Sequence, residues 1–494
     1  MSFIRNKIEL IRSGGLPVFW QQMRALPRWF LRWYGTSKYT KRVAYYSFSA
    51  TAFLRPNWAV GHALLAETLI SLGRFDEAFA AWERAFALKP EFWAICARIH
   101  QTFIVYGQTR MAQNVMQRYL DAQNDFAREH QLDKLGIRFH SEFLTQIGHI
   151  GLLDSYVKMG ILGQRSIARP ILLINPGLSN PCYLDYWRSY LPDIIADPVT
   201  LEILWPLAKY LEDRFNAVMD SSGQQIYEQY TGDMGRTIQA QWENEGREPL
   251  LTLSDSDRER GWQCLRDLGV PTDAWFVCLH VREGKTTLQD FRSANIKTYR
   301  LAMESIIARG GWVIRMGDPF MPPLPPRSQV IDYVHSRIHS DWMDVFLWAS
   351  CRFFIVNHSG PAWVPSTFGV PCVVTNWCSQ GLLPWFSKDI CIFRLNWSEH
   401  EARYMNFAEV ISSALAWTEC TEYRNSQGIK IVENTPEELN DVVIEMLDRL
   451  EGNLQYSAED EDLQKQFTRL YGGRSNKAFS RIGRAFLRKW AHLL

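Results

Sequence analysis

The sequence has almost no net charge: 54 Lys and Arg against 53 Asp and Glu leave +1 over 494 residues, which excludes the bulk electrostatics of a general nucleic-acid coat. Cysteine is sparse and unpatterned. Nine residues (Cys96, Cys182, Cys264, Cys278, Cys351, Cys372, Cys378, Cys391, Cys420) form an odd set with no C-x-x-C pair, and several lie in apolar runs. That usage suits reduced thiols in a cytosol rather than a disulfide frame or a zinc site. The first residues carry charges every few positions, so no secretory signal is expected. The longest uncharged stretch, Phe353 to Ser387, holds four prolines and three glycines and is not a membrane span. No Asp-x-Asp stands beside an apolar strand, and the one at 255 to 257 reads as a helix cap, so no metal or other cofactor is implied.

What is present is an apolar chain, 47% hydrophobic and 13% aromatic, long enough for two or three domains. Its charges are segregated. Residues 1–55 hold ten basic residues against one acid, and 469–494 hold seven against none, which leaves about −15 on the residues between. The first segment interleaves bases with rings (Arg24, Arg28, Trp29, Phe30, Arg32, Trp33, Tyr34). It suits either an anionic membrane surface or a helical arm packed on its own protein. The tail spaces Arg474, Lys477, Arg481, Arg484 and Arg488 among Phe479, Ile482, Phe486, Leu487 and Trp490, which predicts a basic helix that either binds membrane or packs back across the first α/β domain. The acidic run AEDED at 458–462 reads as the linker before it, so 453–494 is taken as linker plus helix.

From Pro56 the pattern is one of paired amphipathic helices. Residues 57–90 place small residues at Gly61, Ala66 and Ala78, a turn glycine at Gly73 and a closing Pro90, and 91–125 repeats the plan loosely around Gly107. The spacing resembles tetratricopeptide repeats. Two repeats seldom stand alone, so helices at 40–56 and 126–160 are expected to cap the stack, giving a helical region over 56–160. Such a region offers a groove for a protein partner or shields an adjoining domain.

At Arg169 the period changes. ILLIN (171–175), the loop with Pro176, Gly177, Ser179 and Asn180, and a helix over 182–194 make a first strand-loop-helix unit of a domain over 165–268; residues 200–265 read as mostly helical. After Pro271 the series resumes with WFVCLHV (275–281), a helix at 297–309, WVIRMG (312–317), VIDYV (330–334), a helix at 341–349, FFIVN (353–357), a helix at 362–368 and PCVVTN (371–376). Continuous apolar strands alternating with helices predict a parallel sheet, and hence a second domain over 269–452. Near its end Thr435, Pro436 and Glu438 predict a capped helix start. Ligands of parallel sheets bind at the carboxyl ends of the strands, where His280, Arg282, Arg315, Asn357, Ser359, Thr375 and Asn376 fall.

Two motifs there carry chemistry. In VNHSGP (356–361) a buried strand opens through His358, Ser359 and Gly360 into an expected helix, an arrangement that offers backbone N–H groups to a phosphate. In HVRE (280–283) alternation points His280 and Arg282 to one side. An arginine so placed can clamp a diphosphate, or it can simply pair with Glu283. Arg292, Tyr299 and Arg315 support the site, with Asp318 and Asp332 as candidate partners of Arg315. For proton transfer the candidates are Glu283 first and Asp185 second, with His280 beside them.

These segments, with RSANIKTY (292–299), GGWVIRMGDP (310–319), IDYVHS (331–336), DVFLWASCRFFIVNHSG (344–360), FGVPCVVTN (368–376) and ENTPEE (433–438), resemble the nucleotide-sugar domain of GT-B glycosyltransferases. The nearest likeness is a bacterial family associated with surface-polysaccharide synthesis, over roughly 165–450. The resemblance implies two Rossmann-like domains behind a tetratricopeptide-like region. It implies transfer of a hexose or related sugar from a nucleotide-sugar to a glycan or lipid-linked acceptor, in the cytoplasm at the inner face of the membrane. Departures are specific. Heptosyltransferase-like enzymes carry Asp-Ser-Gly-Pro-x-His, where this chain has His358 and Trp363. His-x-Arg also resembles the phosphate motif of fucosyltransferase-like enzymes, but Glu283 and Gly284 replace its further Arg or Asp. No acid occurs between Asp344 and Asp389 to clamp a donor ribose, which also argues against a nucleotide-sugar 2-epimerase. A helical-repeat adaptor with an inactive transferase domain is the alternative.

Overall fold

The computed structural model describes residues 38–90, 93–140, 146–165, 169–174, 177–208, 210–211, 215–219, 225–229, 232–283, 290–381, 383–418, 420–471 and 479–494. Residues 1–37, with the aromatic bases of the N-terminal arm, and Arg474 and Lys477 lie outside them. The chain divides into two compact units, Met1–Gln123 and Asn124–Leu494.

The described residues of the first unit are helical. Lys38–Leu54, Ala59–Ser71, Phe75–Leu88 and Trp93–Val105 are followed by Thr109–Glu129, which runs through the unit boundary. Gly73 and Gly107 take left-handed φ of 74° and 72° at the two turns where the sequence places them, a conformation without steric penalty only for glycine. Ala63, Ala66, Ala78, Trp82 and Ala85 are fully buried, so small side chains let helices 59–71 and 75–88 pack closely around one tryptophan.

The second unit holds two parallel sheets. The smaller orders β1 (Ile137–His140), β2 (Arg169–Leu173) and β3 (Ile194–Ile195) side by side. β1 and the helices Ile147–Gly151 and Leu153–Ile161 therefore build the α/β unit, where the sequence suggested helices capping the repeat stack. The helix expected at 182–194 is shorter, Pro181–Tyr186, because a 3-10 turn and β3 take up the rest. An antiparallel hairpin, β4 (Phe215–Met219) and β5 (Gln225–Gln229), interrupts the stretch read as helical.

The large sheet uses β6 (Phe276–His280), β7 (Trp312–Met316), β8 (Val330–Asp332), β9 (Phe354–Val356), β10 (Cys372–Trp377) and β11 (Ile390–Phe393). Next come β12 (Leu395–Ser398), β13 (Arg403–Tyr404) and β14 (Ile429–Val432), which make a separate antiparallel sheet, and β15 (Arg481–Ile482), which closes the large sheet beside β11. The seven strands run β15-β11-β10-β9-β6-β7-β8, all parallel. From β8 to β11 this is the 3-2-1-4-5-6 order of doubly wound sheets, whose direction reverses between β6 and β9. β9, β10 and β11 are buried at every residue, as continuous apolar runs covered on both faces must be. The fold class is thus α/β with a helical N-terminal region.

The C-terminal residues belong to this body. AEDED is no linker: Ser457 caps the helix Ala458–Arg469 reciprocally with Asp460, and the acids favour its positive end. Among the described residues from 479 on, Arg484–Lys489 is α-helical, and Arg481 and Ile482 are strand. Ile482, Phe486 and Leu487 are buried, while Arg488 bonds Asp460 and Lys489 bonds Glu438. The described end of the tail is packed, but on the large sheet and the helices Pro436–Leu450 and Ala458–Arg469, not across the first α/β domain as one of the two readings had it. No helix among the described residues is long and apolar enough to cross a membrane.

Candidate functional site

The reversal between β6 and β9 places two motifs in contact. β6 and β9 pair in register His280 with Val356, so the residues that follow each strand rise side by side. His280 Nε2 lies 3.1 Å from Ser359 Oγ. Enclosure first, then the positive charges of Arg315 and Arg282, push the His280 pKa down to about 4, with Asp318 partly opposing. At neutral pH the ring is uncharged, so one of its nitrogens is a proton acceptor.

Between the motifs stands Asn357, fully buried. Its Oδ1 accepts the Arg282 backbone N–H at 2.9 Å, and its Nδ2 donates to the Arg292 carbonyl at 3.0 Å. Arg292 Nε donates to the His358 carbonyl at 3.1 Å, and the Ala294 N–H returns to the Arg282 carbonyl. One asparagine therefore sets two arginine-bearing segments against each other at the carboxyl end of the sheet. His358 is turned inward, its ring 4.1 Å from that of Trp377 and its Nδ1 accepting the Cys378 N–H. Burial, followed by Arg292, Arg394, Arg282 and Arg424, keeps it well below the usual histidine range. Four guanidiniums thus act on one imidazole.

Other expected site residues have different occupations. Arg315, with no exposed side-chain surface, donates to Asp332 at 3.0 Å, to the Pro322 carbonyl and, at 3.5 Å, to Glu283. Glu283 also accepts the Ile296 N–H. Glu283 is therefore the counter-ion of Arg315, not of Arg282, and both of its oxygens are engaged. Asp318 instead accepts the Phe320 N–H. Tyr299, Thr375 and Asn376 satisfy one another: the Tyr299 hydroxyl is 2.7 Å from Thr375 Oγ1 and accepts Asn376 Nδ2. Asp185 sits on the exposed face of Pro181–Tyr186 and bonds Arg188, touching none of the others. It shares the surroundings of Cys182 with Asp341 and Asp257.

The helix expected at 362–368 is absent. Gly360–Trp363 and Pro365–Phe368 are separate 3-10 turns, because Pro361 and Pro365 each withdraw a backbone donor and Val364 breaks the run. Residues 362–368 therefore supply no helix dipole to the Ser359 loop. Gly360 has another reason to be glycine: a Cβ there would stand 3.1 Å from the Gly148 nitrogen. Charge at this site comes from arginines.

Sequence reasoning missed Arg394 and Arg424, both buried. Arg394 ends the apolar run ICIF directly before LNWS; an arginine between two buried strands is the signal that could have found it.

No protein-family model matches the chain, and no curated protein matches it. Solved structures bear a distant likeness, among them the following three. A family 9 glycosyl transferase from Veillonella parvula DSM 2008 is 12% identical, with a TM-score of 0.35 over 52% of this chain and 85% of that one. An iron-containing dodecameric glycosyltransferase from enterotoxigenic E. coli H10407 is 14% identical, with a TM-score of 0.34 over 65% and 77%. A Thermobaculum terrenum O-GlcNAc transferase mutant is 12% identical, with a TM-score of 0.25 over 92% and 86%. Likeness at this distance carries no functional argument, which rests on the site itself.

Proposed function

We propose that the protein is a glycosyltransferase that moves a hexose or related sugar from a nucleotide-sugar to a glycan or lipid-linked acceptor of the cell surface. The observation that carries the reading is the stapling of the Arg282 and Arg292 segments by Asn357, beside the His280–Ser359 contact, at the strand-order reversal of a parallel sheet. Doubly wound sheets bind ligands at that crevice, and paired guanidiniums suit a diphosphate.

In the reaction the acceptor hydroxyl attacks the anomeric carbon, the bond from that carbon to the diphosphate oxygen breaks, and the nucleoside diphosphate leaves with the bonding pair. Arg282 and Arg292 stabilise the charge that grows on the leaving oxygen. His280 takes the acceptor proton. Glu283 is a poorer choice because its oxygens are held by Arg315 and the Ile296 N–H. The guanidiniums supply the positive charge, so the reading requires no metal. It places the protein in the cytoplasm at the inner face of the membrane. Membrane contact is assigned to the basic aromatic arm over 1–55. A protein partner would engage the helical N-terminal region.

Thermal-shift titration with UDP, GDP, CDP and ADP and their sugars tests the proposal. One series should stabilise the fold by about 2.7 kcal/mol at 100 times its Kd. If no nucleotide binds, the transferase reading falls and the adaptor reading takes its place.

A further inference from the structure

Three consecutive backbone carbonyls around Arg292 each accept a bond from a side chain of a distant element. Arg394 Nη1 donates to Phe291 at 2.6 Å, Asn357 Nδ2 to Arg292 at 3.0 Å and Arg394 Nη2 to Ser293 at 2.6 Å. The fork of one guanidinium thus straddles residue 292. Arg394 is itself immobilised: its N–H donates to the Trp377 carbonyl, its carbonyl accepts Gln380 Nε2, and its Nε donates to Asn376 Oδ1. Asn376 holds a left-handed backbone, φ 50°, in which its N–H bonds Asn434 Oδ1 while its own Oδ1 accepts the Asn434 N–H. Such a conformation is uncommon outside glycine and persists where its surroundings over-determine it.

Arg394 is 4% exposed and, among the described residues, meets one carboxylate, Glu433, at 3.5 Å. Burying a guanidinium with so little counter-charge is costly, and well-packed apolar residues often serve stability as well or better in such a place. Stability does not explain it. Nε, Nη1 and Nη2 each donate to a group of the protein itself.

We infer that Arg394 is a positioning residue, which fixes the backbone on both sides of Arg292 so that the Arg292 guanidinium is aimed, before ligand arrives, at a diphosphate group. The inference rests on the proposed function and deepens it: affinity for the diphosphate depends on pre-organisation of the turn 291–293, not only on the charge of its arginine.

The test is isothermal titration with inorganic pyrophosphate on the full chain: wild type, Arg292→Ala, Arg394→Met, Arg394→Lys and the Arg292→Ala/Arg394→Met pair. Arg394→Met should weaken pyrophosphate binding tenfold or more. Lysine should restore little of the loss, because one ammonium does not reach both carbonyls in the geometry of the fork. In the Arg292→Ala background Arg394→Met should add less than twofold, since the group it aims is gone. Additive losses would show that Arg394 acts through its charge alone and would overturn the inference, as would wild-type affinity in a folded Arg394→Met protein. Arg394→Gln removes the buried charge and keeps one carbonyl donor; it serves if the methionine variant does not fold, with the same pattern expected in milder form. Should wild type bind neither pyrophosphate nor any nucleoside diphosphate, the proposed function falls and this inference with it. Binding by wild type with no coupling sinks the inference alone.

Discussion

Gly148 and Gly360 meet backbone to backbone: a Cβ at Gly148 would lie 2.9 Å from Gly360 Cα and 3.0 Å from its carbonyl oxygen. Gly148 belongs to the helix that follows β1 of the small sheet, and Gly360 follows β9 of the large one. One turn on, a Cβ at Gly151 would meet the Trp363 carbonyl oxygen at 2.5 Å. The two sheets are thus joined beside Ser359 by a close contact in which a Cβ at Gly148 or Gly151 would force the backbone apart.

Gly360→Val should therefore damage the fold before it damages any ligand site. Overpacking of this kind costs about 1–3 kcal/mol, and Gly148→Ala should cost a similar amount. Urea denaturation checks this; a Gly360→Val protein of wild-type stability would contradict the geometry.

His280 supplies a pH signature. Its folded-state pKa of about 4 lies below the ordinary value of 6.5, so the unfolded chain binds more protons between those limits. Stability present above pH 6.5 should therefore be lost as pH falls toward 4, and a His280→Gln protein should lose less over the same interval. NMR titration of the ring should also show its pKa rising when a nucleoside diphosphate binds, because the anion offsets the Arg282 and Arg315 charges. An unchanged ring pKa in saturated protein would remove the diphosphate from this neighbourhood.

The roles of Glu283 and His280 separate in turnover. His280→Gln should reduce sugar transfer by about 10² or more while nucleotide still binds, as expected on loss of a general base. Glu283→Gln should keep more than a tenth of wild-type turnover. The reverse order, measured as release of nucleoside diphosphate, would return proton transfer to Glu283.

Asp332 is the nearer counter-ion of the fully buried Arg315 and also accepts the Leu324 N–H. Asp332→Ala leaves that guanidinium with Glu283 at 3.5 Å. A loss of about 3–5 kcal/mol is expected, read from denaturant midpoints. A shift below about 1 kcal/mol would mean that Arg315 is stabilised in another way.

The tail is structural at its described end. Phe486 is buried with its ring centroid 5.1 Å from that of Phe393 of β11, and Phe486→Ala should destabilise the fold by about 3–5 kcal/mol. Sedimentation with anionic vesicles should show Arg488→Ala pelleting like wild type. Loss of pelleting in that variant would restore a membrane role to the tail.

Local chemistry determined a good part of this protein. FVCLH, FIV and CVVTNW read as strands because an apolar run covered on both faces carries its own signal. Gly73, Gly107 and the Thr435–Glu438 box fell where turns and a helix start require them, since left-handed φ and a capping oxygen are demands met within four residues. The strand-end rule also brought His280, Arg282, Asn357 and Ser359 to one place. Tertiary structure alone decided what each charge does there. Glu283 belongs to Arg315 across 32 positions, Arg394 holds carbonyls about a hundred residues away, and Gly360 is glycine because Gly148 is its neighbour. A charge inside a protein takes its role from whichever groups desolvation forces it to meet, and those meetings are set by how strands pair and loops cross, which no local window contains.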